Sequence, residues 1–455
     1  MTPKNILAIA VLSPTMSKGD FAQYRASVDQ LKYFGSVKLS YPGASYDTSH
    51  MQFFADIDVL PHPSELALSR NLMKTMKYRS SPPQFSAPKS TNRPSLNKRL
   101  LNGLSSFYDK SFLLRQMLAP TLTKSLVSQI HSDFEDIDYV VVLGHTLEKS
   151  LMKRYTTSYY YPKFVLKKPT VIFPFSVSHL GLKESPGREV FLMKMILRRI
   201  DALFLREERS YKYLGRMIGT MKNLFPVADM AFLLSEAPLE TVISKIRRSG
   251  VDLKTPSIAV ALRPDYFLTY KKRFGLRKLS FFLKKVAKLL DRLISDFKAF
   301  VYFVPMVVEP GSTKIADDLY CSKECIRNMK NRERAYIIDT PCLSAYEMKT
   351  LLGLMDFLIT TRLHAGILAM SKQVPTLMIL PTDDNKGIGL SERLGTEEYF
   401  IDLDYAIDTD LDKFYHEVSN AIRNRETIRE QLKISIPKEQ KLASSTMKIL
   451  QRIVV

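Results

Sequence analysis

The chain is poor in cysteine. Its 455 residues hold three, Cys321, Cys325 and Cys342. An odd number in a chain of this length gives no disulfide framework and points to a reducing, cytoplasmic compartment. Cys321 and Cys325 form a C-x3-C pair, but no histidine stands at metal-ligand spacing beside them. A zinc site would need two more ligands, so the thiols read as reduced cysteines without a special role, and no metal is expected. Long apolar runs are missing too. No stretch of 18 apolar residues occurs, so nothing is long enough to cross a bilayer as a helix. The N-terminal run 6-ILAIAVL-12 follows one lysine, like a weak leader, but no small-residue cleavage pattern comes after it. It reads as a first strand. Acidic residues are also outnumbered, 46 against 67 Lys and Arg, for a net charge of +21. Such a balance favours anionic partners: nucleic acid, phosphorylated substrates or an anionic membrane face. There is no RNP pattern, no zinc-finger spacing and no basic heptad region, so no nucleic acid is expected. The cations gather locally in 271-KKRFGLRK-278 and 284-KKVAK-288.

What is present is the composition of a folded protein, 45% apolar and 25% charged, in a chain long enough for two domains. The opening pattern is strand (6–12), helix (20–35, stopped by Gly35) and strand (36–42). Strand patterns recur at 138–146, 170–181 and 202–206, with helices between, and 225–234 closes this half. A helix over 238–250 ends at Gly250, a natural boundary. The alternation restarts at 257-SIAVALR-263 and continues through a basic amphipathic helix (276–297), strands near 299–305, 335–339, 356–360 and 376–380, and a helical stretch over 408–453. The segment 80–99, rich in Ser, Pro, Asn and Lys, reads as a mobile loop. Two doubly wound α/β domains facing a cleft are expected: 1–250, 251–430, and a helical tail at 431–455. No internal repeat stands out.

In open parallel sheets, ligands sit beyond the carboxyl ends of the strands. The residues expected there are Gly19 and Asp20; Gly144 and His145; Ser176, Ser178 and His179; Arg206; Arg263; Arg362 and His364; Lys386 and Gly387. Singly, each has a plain reading. A strand-end arginine is often a surface ion-pair partner, a histidine a hydrogen-bonded bystander, and Asp20 a cap for the first helix. Jointly, three arginines and several histidines at strand ends suit a small, multiply charged anion, because arginine pairs bidentately with carboxylate and phosphate. A helix starting near His364 adds free N–H groups and the positive end of its dipole.

The segment 356-DFLITTRLHAGILAMSKQVPTLMILPTDDNKGIGLSERLG-395 resembles the polysaccharide pyruvyl transferases: an apolar strand, R-L-H-A, a small-residue helix, Val-Pro, a strand, then Lys and Leu-Gly. The loop 18-KGD-20 is similar to that family's Asn-x-Gly-Asp turn, with Ser17 for Asn. The turn after 138-DYVVVLGHT-146 carries His145 for a second Gly, and 172-IFPFSVSHLG-181 keeps Ser176 of a Gln-Ser-x-Gly-Pro loop. The run 204-FLREERS-210 is similar to an Arg-Asp-x-x-Ser motif with Glu207 for Asp, and 227-VADMAFLL-234 also fits. The resemblance implies a GT-B-like fold with the donor on the C-terminal side. It also implies transfer of a pyruvyl group from phosphoenolpyruvate to two hydroxyls of a sugar or lipid-linked glycan, with release of phosphate and no cofactor. On that reading Arg362, Arg263 and Arg206 hold the donor and His364 supplies a proton or a phosphate contact. Asp20 orients or deprotonates the acceptor, and Ser176, His179, Gly144, His145 and Lys386 complete the site. The basic surface would suit peripheral contact with an anionic membrane. A nucleotide-sugar glycosyltransferase of the same fold, or a binding protein with a lost site, remains an alternative.

Overall fold

The computed structural model describes residues 4–9, 18–40, 58–60, 134–147, 158–159, 161–178, 187–219, 222–270, 273–308 and 317–454. The segment 80–99, Ser17 and His179 lie outside them. Both sheets described below belong to one compact unit.

Among the described residues the first sheet holds β1 (Lys4–Ile9), β2 (Gly35–Ser40), β3 (Asp58–Leu60), β4 (Tyr139–Val142), β5 (Thr146–Leu147), β6 (Thr170–Val177), β7 (Ala202–Leu205) and β8 (Leu224–Pro226). Its order is β3-β2-β1-β4-β6-β7-β8, with β5 beside β6. The second holds β9 (Ser257–Ala261), β10 (Phe300–Phe303), β11 (Ala335–Ile337), β12 (Phe357–Thr360), β13 (Thr376–Leu380) and β14 (Phe400–Asp402), in the order β11-β10-β9-β12-β13-β14. Every pairing is parallel. In each sheet the first strand lies at the centre and the chain winds outward on both sides of it. The reversal falls between β1 and β4 and between β9 and β12, and such switch points are where ligands bind. The strands are apolar on both faces because helices cover both.

The helices are α1 (Lys18–Leu31), α2 (Gly187–Leu197), α3 (Glu208–Ile218), α4 (Leu239–Arg248), α5 (Asp265–Thr269), α6 (Gly275–Phe297), α7 (Asp318–Asn328), α8 (Ala345–Gly353), α9 (Leu363–Met370), α10 (Asn385–Leu394), α11 (Leu403–Asp408), α12 (Leu411–Arg423) and α13 (Arg425–Val454). The 408–453 stretch is therefore broken into separate helices. The long α13 returns to the first sheet, where Gln440 Nε2 donates to the Phe232 carbonyl at 3.5 Å. Gly35 does not stop α1, which ends at Leu31. It opens β2, where an added Cβ would lie 1.9 Å from the Lys4 carbonyl oxygen, so close strand approach is what requires glycine there.

One irregularity prepares the site. The β6–β7 register shifts between Ile172 and Phe175, around Pro174, which cannot donate to a ladder. Before the shift Val171 and Phe173 pack with α1's apolar residues and Ile172 packs with α2's; after it Phe175 and Val177 pack on the Ile172 side. The bulge thus turns Ser176 to the face that carries α1.

Candidate active site

Arg206, directly after β7, is the centre of a first cluster. Its Nη1 donates to Asp229 Oδ2 at 2.6 Å and to Gln23 Oε1 at 3.3 Å, and its Nη2 donates to Thr146 Oγ1 at 3.2 Å. Its Nε donates to Ser176 Oγ, and Ser176 Oγ in turn donates to Glu207 Oε2 at 2.9 Å. Ser210 Oγ donates to the other Glu207 oxygen and accepts from the Val177 N–H at 2.8 Å. The Arg-Glu-x-x-Ser stretch therefore ties the ends of β6 and β7 together. Burial pushes the Glu207 carboxyl up, against the pull of Arg206 and the two serines.

The second sheet enters this cluster through His364, in the first turn of α9. His364 Nε2 lies 3.3 Å from Arg206 Nη1 and 3.5 Å from Asp229 Oδ2. A ring nitrogen placed between a guanidinium that donates and a carboxylate that accepts has a partner with or without its proton. Asp229 is buried, which opposes its charge, yet Arg206 and His364 hold its carboxyl well below the usual range. Its Oδ1 accepts from the Ala231 N–H at 2.9 Å.

Arg362 and Arg263 form a second cluster, separate in its partners. Arg362 N-caps α9 and spends its guanidinium on two carboxylates. Its Nε donates to Asp318 Oδ2 at 3.0 Å, Nη2 to Asp318 Oδ1, and Nη1 to Asp265 Oδ2 at 3.1 Å. Asp318 also accepts the N–H groups of Met306 and Val307, at 3.0 Å each. Arg263 Nη2 donates to Asp265 Oδ2 at 2.7 Å, and its guanidinium lies over the Tyr266 ring. Burial opposes the charge of Asp265, but the two arginines hold its carboxyl down at about 2. Next to it, Tyr266 donates to Asp384 Oδ2 at 2.7 Å, and Lys386 Nζ pairs with the same oxygen at 3.0 Å.

The strand ends of the two sheets touch. Asn385 Nδ2 donates to the Val177 carbonyl at 3.0 Å, and Arg393 Nη1 donates to the carbonyls of Arg206 and Val227 at 2.6 and 2.8 Å. The cavity lined by Arg206, Glu207, Asp229, Leu363 and Lys386 measures about 10 Å³, room for about one water. Two of the clustered side chains reach solvent: His364 is 14% exposed and Asp265 34%.

The expected residues are thus divided. Arg206, Ser176 and His364 meet, and Lys386 lines the cavity beside them. Arg362 and Arg263 converge on Asp265. Asp20 does not cap α1 but sits in its first turn, close enough that its charge acts on Arg206 and His145. Gly144 is a packing glycine: an added Cβ would meet Gln23 Nε2 at 2.0 Å and the Pro174 oxygen at 2.1 Å. His145 is buried against Phe175. Its Nδ1 donates to the Leu143 carbonyl at 3.0 Å and its Nε2 accepts from Tyr159. Both nitrogens are engaged with protein, and neither Gly144 nor His145 lines the cavity. Sequence reading did not single out Gln23, Thr146, Asp265 or Asp318 and placed Asp229 only inside a matching stretch.

His145 carries a pH prediction. Burial lowers its pKa to about 4 from an ordinary 6.5. The unfolded chain then binds a proton that the folded chain does not, so stability is complete above the ordinary value and falls as pH drops from there toward 4. The expected loss across that window is on the order of 3 kcal/mol. Urea melts of wild type and His145→Gln across it should show the slope in the first and a flatter line in the second.

Two doubly wound parallel sheets with apposed strand ends define a GT-B-like α/β architecture. The chain aligns along nearly its whole length with solved structures of that kind. With the UDP-N-acetylglucosamine 2-epimerase of Neisseria meningitidis bound to UDP-GlcNAc it shares 11% identity at a TM-score of 0.51, covering 99% of each chain. With the N-terminal domain of Candida albicans trehalose-6-phosphate phosphatase the figures are 12% and 0.53, covering 99% of this chain and 97% of that one. With the glycotransferase of kitacinnamycin they are 9% and 0.51, covering all of both. At such identities the likeness is one of fold. The chain belongs to the polysaccharide pyruvyl transferase family, whose profile matches residues 18–383, and it is a transferase.

Proposed function

We propose that the protein transfers a pyruvyl group from phosphoenolpyruvate to two hydroxyls of a sugar, in a glycan or a lipid-linked glycan precursor, forming a ketal and releasing phosphate. The observation that carries this is His364 Nε2 held between Arg206 and Asp229, at 3.3 and 3.5 Å. A proton donor that must also survive without its proton needs such surroundings. Its proton goes to the methylene carbon, which becomes the methyl group. A sugar hydroxyl adds to the neighbouring carbon and loses its proton, oriented or deprotonated by Asp20. The C–O bond to phosphate breaks, and the second hydroxyl closes the ketal and loses its own proton. The electrons stay within the enol phosphate and the hydroxyls, so the reaction calls for no redox cofactor.

Arginine suits both anionic groups of the donor. Asp265, bridging Arg263 and Arg362 at 2.7 and 3.1 Å, occupies the place a donor carboxylate or phosphate would take. With about 10 Å³ beside Arg206, the sheets must part to admit the substrate, with Ser176 and Lys386 flanking it. Replacing Asp265 by Asn removes the competing charge and should lower the donor KM severalfold, read by initial rates. The compartment of this work is proposed to be the cytoplasm, at the inner face of a membrane. Among the described residues no helix is long and apolar enough to cross one.

The test is phosphate release from phosphoenolpyruvate across a panel of sugars and glycans. Release that depends on acceptor and stops in His364→Ala is the expected result. No release, together with tight binding of a nucleoside diphosphate, would overturn the reading in favour of a nucleotide-sugar transferase.

A further inference from the structure

Lys271 and Lys272 lie outside the described residues; the rest of the two basic runs, 273–278 and 284–288, is absent from the contacts of the site. Helix α6 buries Leu279, Phe282, Leu283, Val286 and Leu290 among others in the core. Arg277, Phe281, Lys284 and Lys288 stand exposed on its other side, a turn apart. Phe281 is 56% exposed and the nearby Leu276 49%. A single exposed apolar side chain is ordinary on a protein surface; here Phe281, whose ring centroid lies 5.0 Å from Lys285 Nζ, stands within a row of cations. Beside them lies a cavity of about 330 Å³, lined by Phe281, Lys284, Lys285 and Lys288 together with Asn328 and Asp410.

The acidic side chains bordering this face are already paired. Asp408 lies 3.9 Å from Lys278, Asp410 3.6 Å from Lys413, and Asp412 2.6 Å from Arg292. Among the described residues no carboxylate pairs with Arg277, Lys284 or Lys288. The face is thus a row of free cations with two apolar side chains among them. Helix α6 also begins soon after α5, which carries Asp265, on the strand-end side of the second sheet.

We infer that the exposed stripe of α6 docks the protein on an anionic phospholipid bilayer, with the lysines on headgroup phosphates and Phe281 and Leu276 at the acyl boundary. Free cations fit the negative surface of such a bilayer, and aromatic and aliphatic side chains at the same level fit its interface. A soluble polyanion would use the cations and have no use for Phe281. Docking needs neither donor nor acceptor, so it stands or falls apart from the transfer reaction.

The test is co-sedimentation of the full chain with vesicles of phosphatidylcholine, with and without phosphatidylglycerol, at low and high salt. Binding should require phosphatidylglycerol and weaken with salt. Lys284→Glu/Lys288→Glu should lower the partition coefficient about thirty-fold or more, roughly fivefold for each cation lost. Phe281→Ser should lower it as well, and Arg216→Glu, on α3, should leave it unchanged. Phosphate release with a soluble acceptor should be the same in the Lys284/Lys288 variant as in wild type. Equal binding to neutral vesicles, or binding retained in that variant, would overturn the assignment. A loss on charge reversal with none in Phe281→Ser would overturn the lipid in favour of a soluble polyanion.

Discussion

Replacing His364 by alanine should lower pyruvyl transfer by about 10² to 10⁴-fold while leaving the fold nearly as stable as before. The side chain is at the rim of the cluster, and the buried ion pair it touches does not depend on it. Arg206 Nη1 and Asp229 Oδ2 remain 2.6 Å apart, and Asp229 keeps the Ala231 N–H. The loss should appear in kcat at saturating phosphoenolpyruvate rather than in donor KM, because a group that delivers a proton acts in the transition state. His364→Asn keeps a hydrogen-bonding side chain that cannot deliver a proton at neutral pH and should be as inactive. Unchanged turnover in either variant, with an unchanged melt, would remove His364 from the mechanism.

The second large effect is on stability. Arg362→Ala leaves the Asp318 carboxylate, fully buried, with only two backbone N–H groups. Losing one partner of a buried pair costs about 3–5 kcal/mol, enough to take up much of a typical protein's margin. Loss of activity in that variant therefore says nothing by itself about donor binding. The double variant Arg362→Met/Asp318→Asn separates the two roles. It removes both charges, and the Asn oxygen still accepts from Met306 and Val307. Urea melts should show much of the stability returning. Phosphate release should not return, because a neutral side chain at 362 does not hold the donor's anion. A stable double variant with wild-type turnover would show that Arg362 only braces the strand ends.

The two clusters were unequally legible. Arg206, Arg362 and His364 stand at the carboxyl ends of apolar runs, and a parallel sheet puts those ends on one edge. Their side-chain partners carry no such signal. Asp318 starts a helix of the second sheet, and Gln23 lies within α1; each reaches the site only because sheet order brings a distant segment alongside. Gly144 and His145 differ in the opposite way. Their place in the sequence matched a strand-end turn, but packing of Gln23 and Pro174 on one, and of Phe175 and Tyr159 on the other, turned both into the protein.

Gly35 and Ser176 mark the same divide at single residues. A glycine after a helical pattern reads as a stop, while the approach of Lys4 is what requires it. Strict alternation along β6 would put Ser176 on the face of Ile172. The register shift at Pro174 moves it to Arg206.

By itself the sequence determined the alternation of strands and helices, the two-sheet class and the line of cations along the strand ends. Those follow from hydrophobic period and residue type, which are local. Tertiary structure alone decided that Arg206 and His364 face each other and that Arg362 is shared by two carboxylates. It also decided that the sheets close to about one water's volume beside Arg206. Such outcomes depend on which distant segments pack together, and a hydrogen bond between residues 158 positions apart leaves no mark in either one's neighbours.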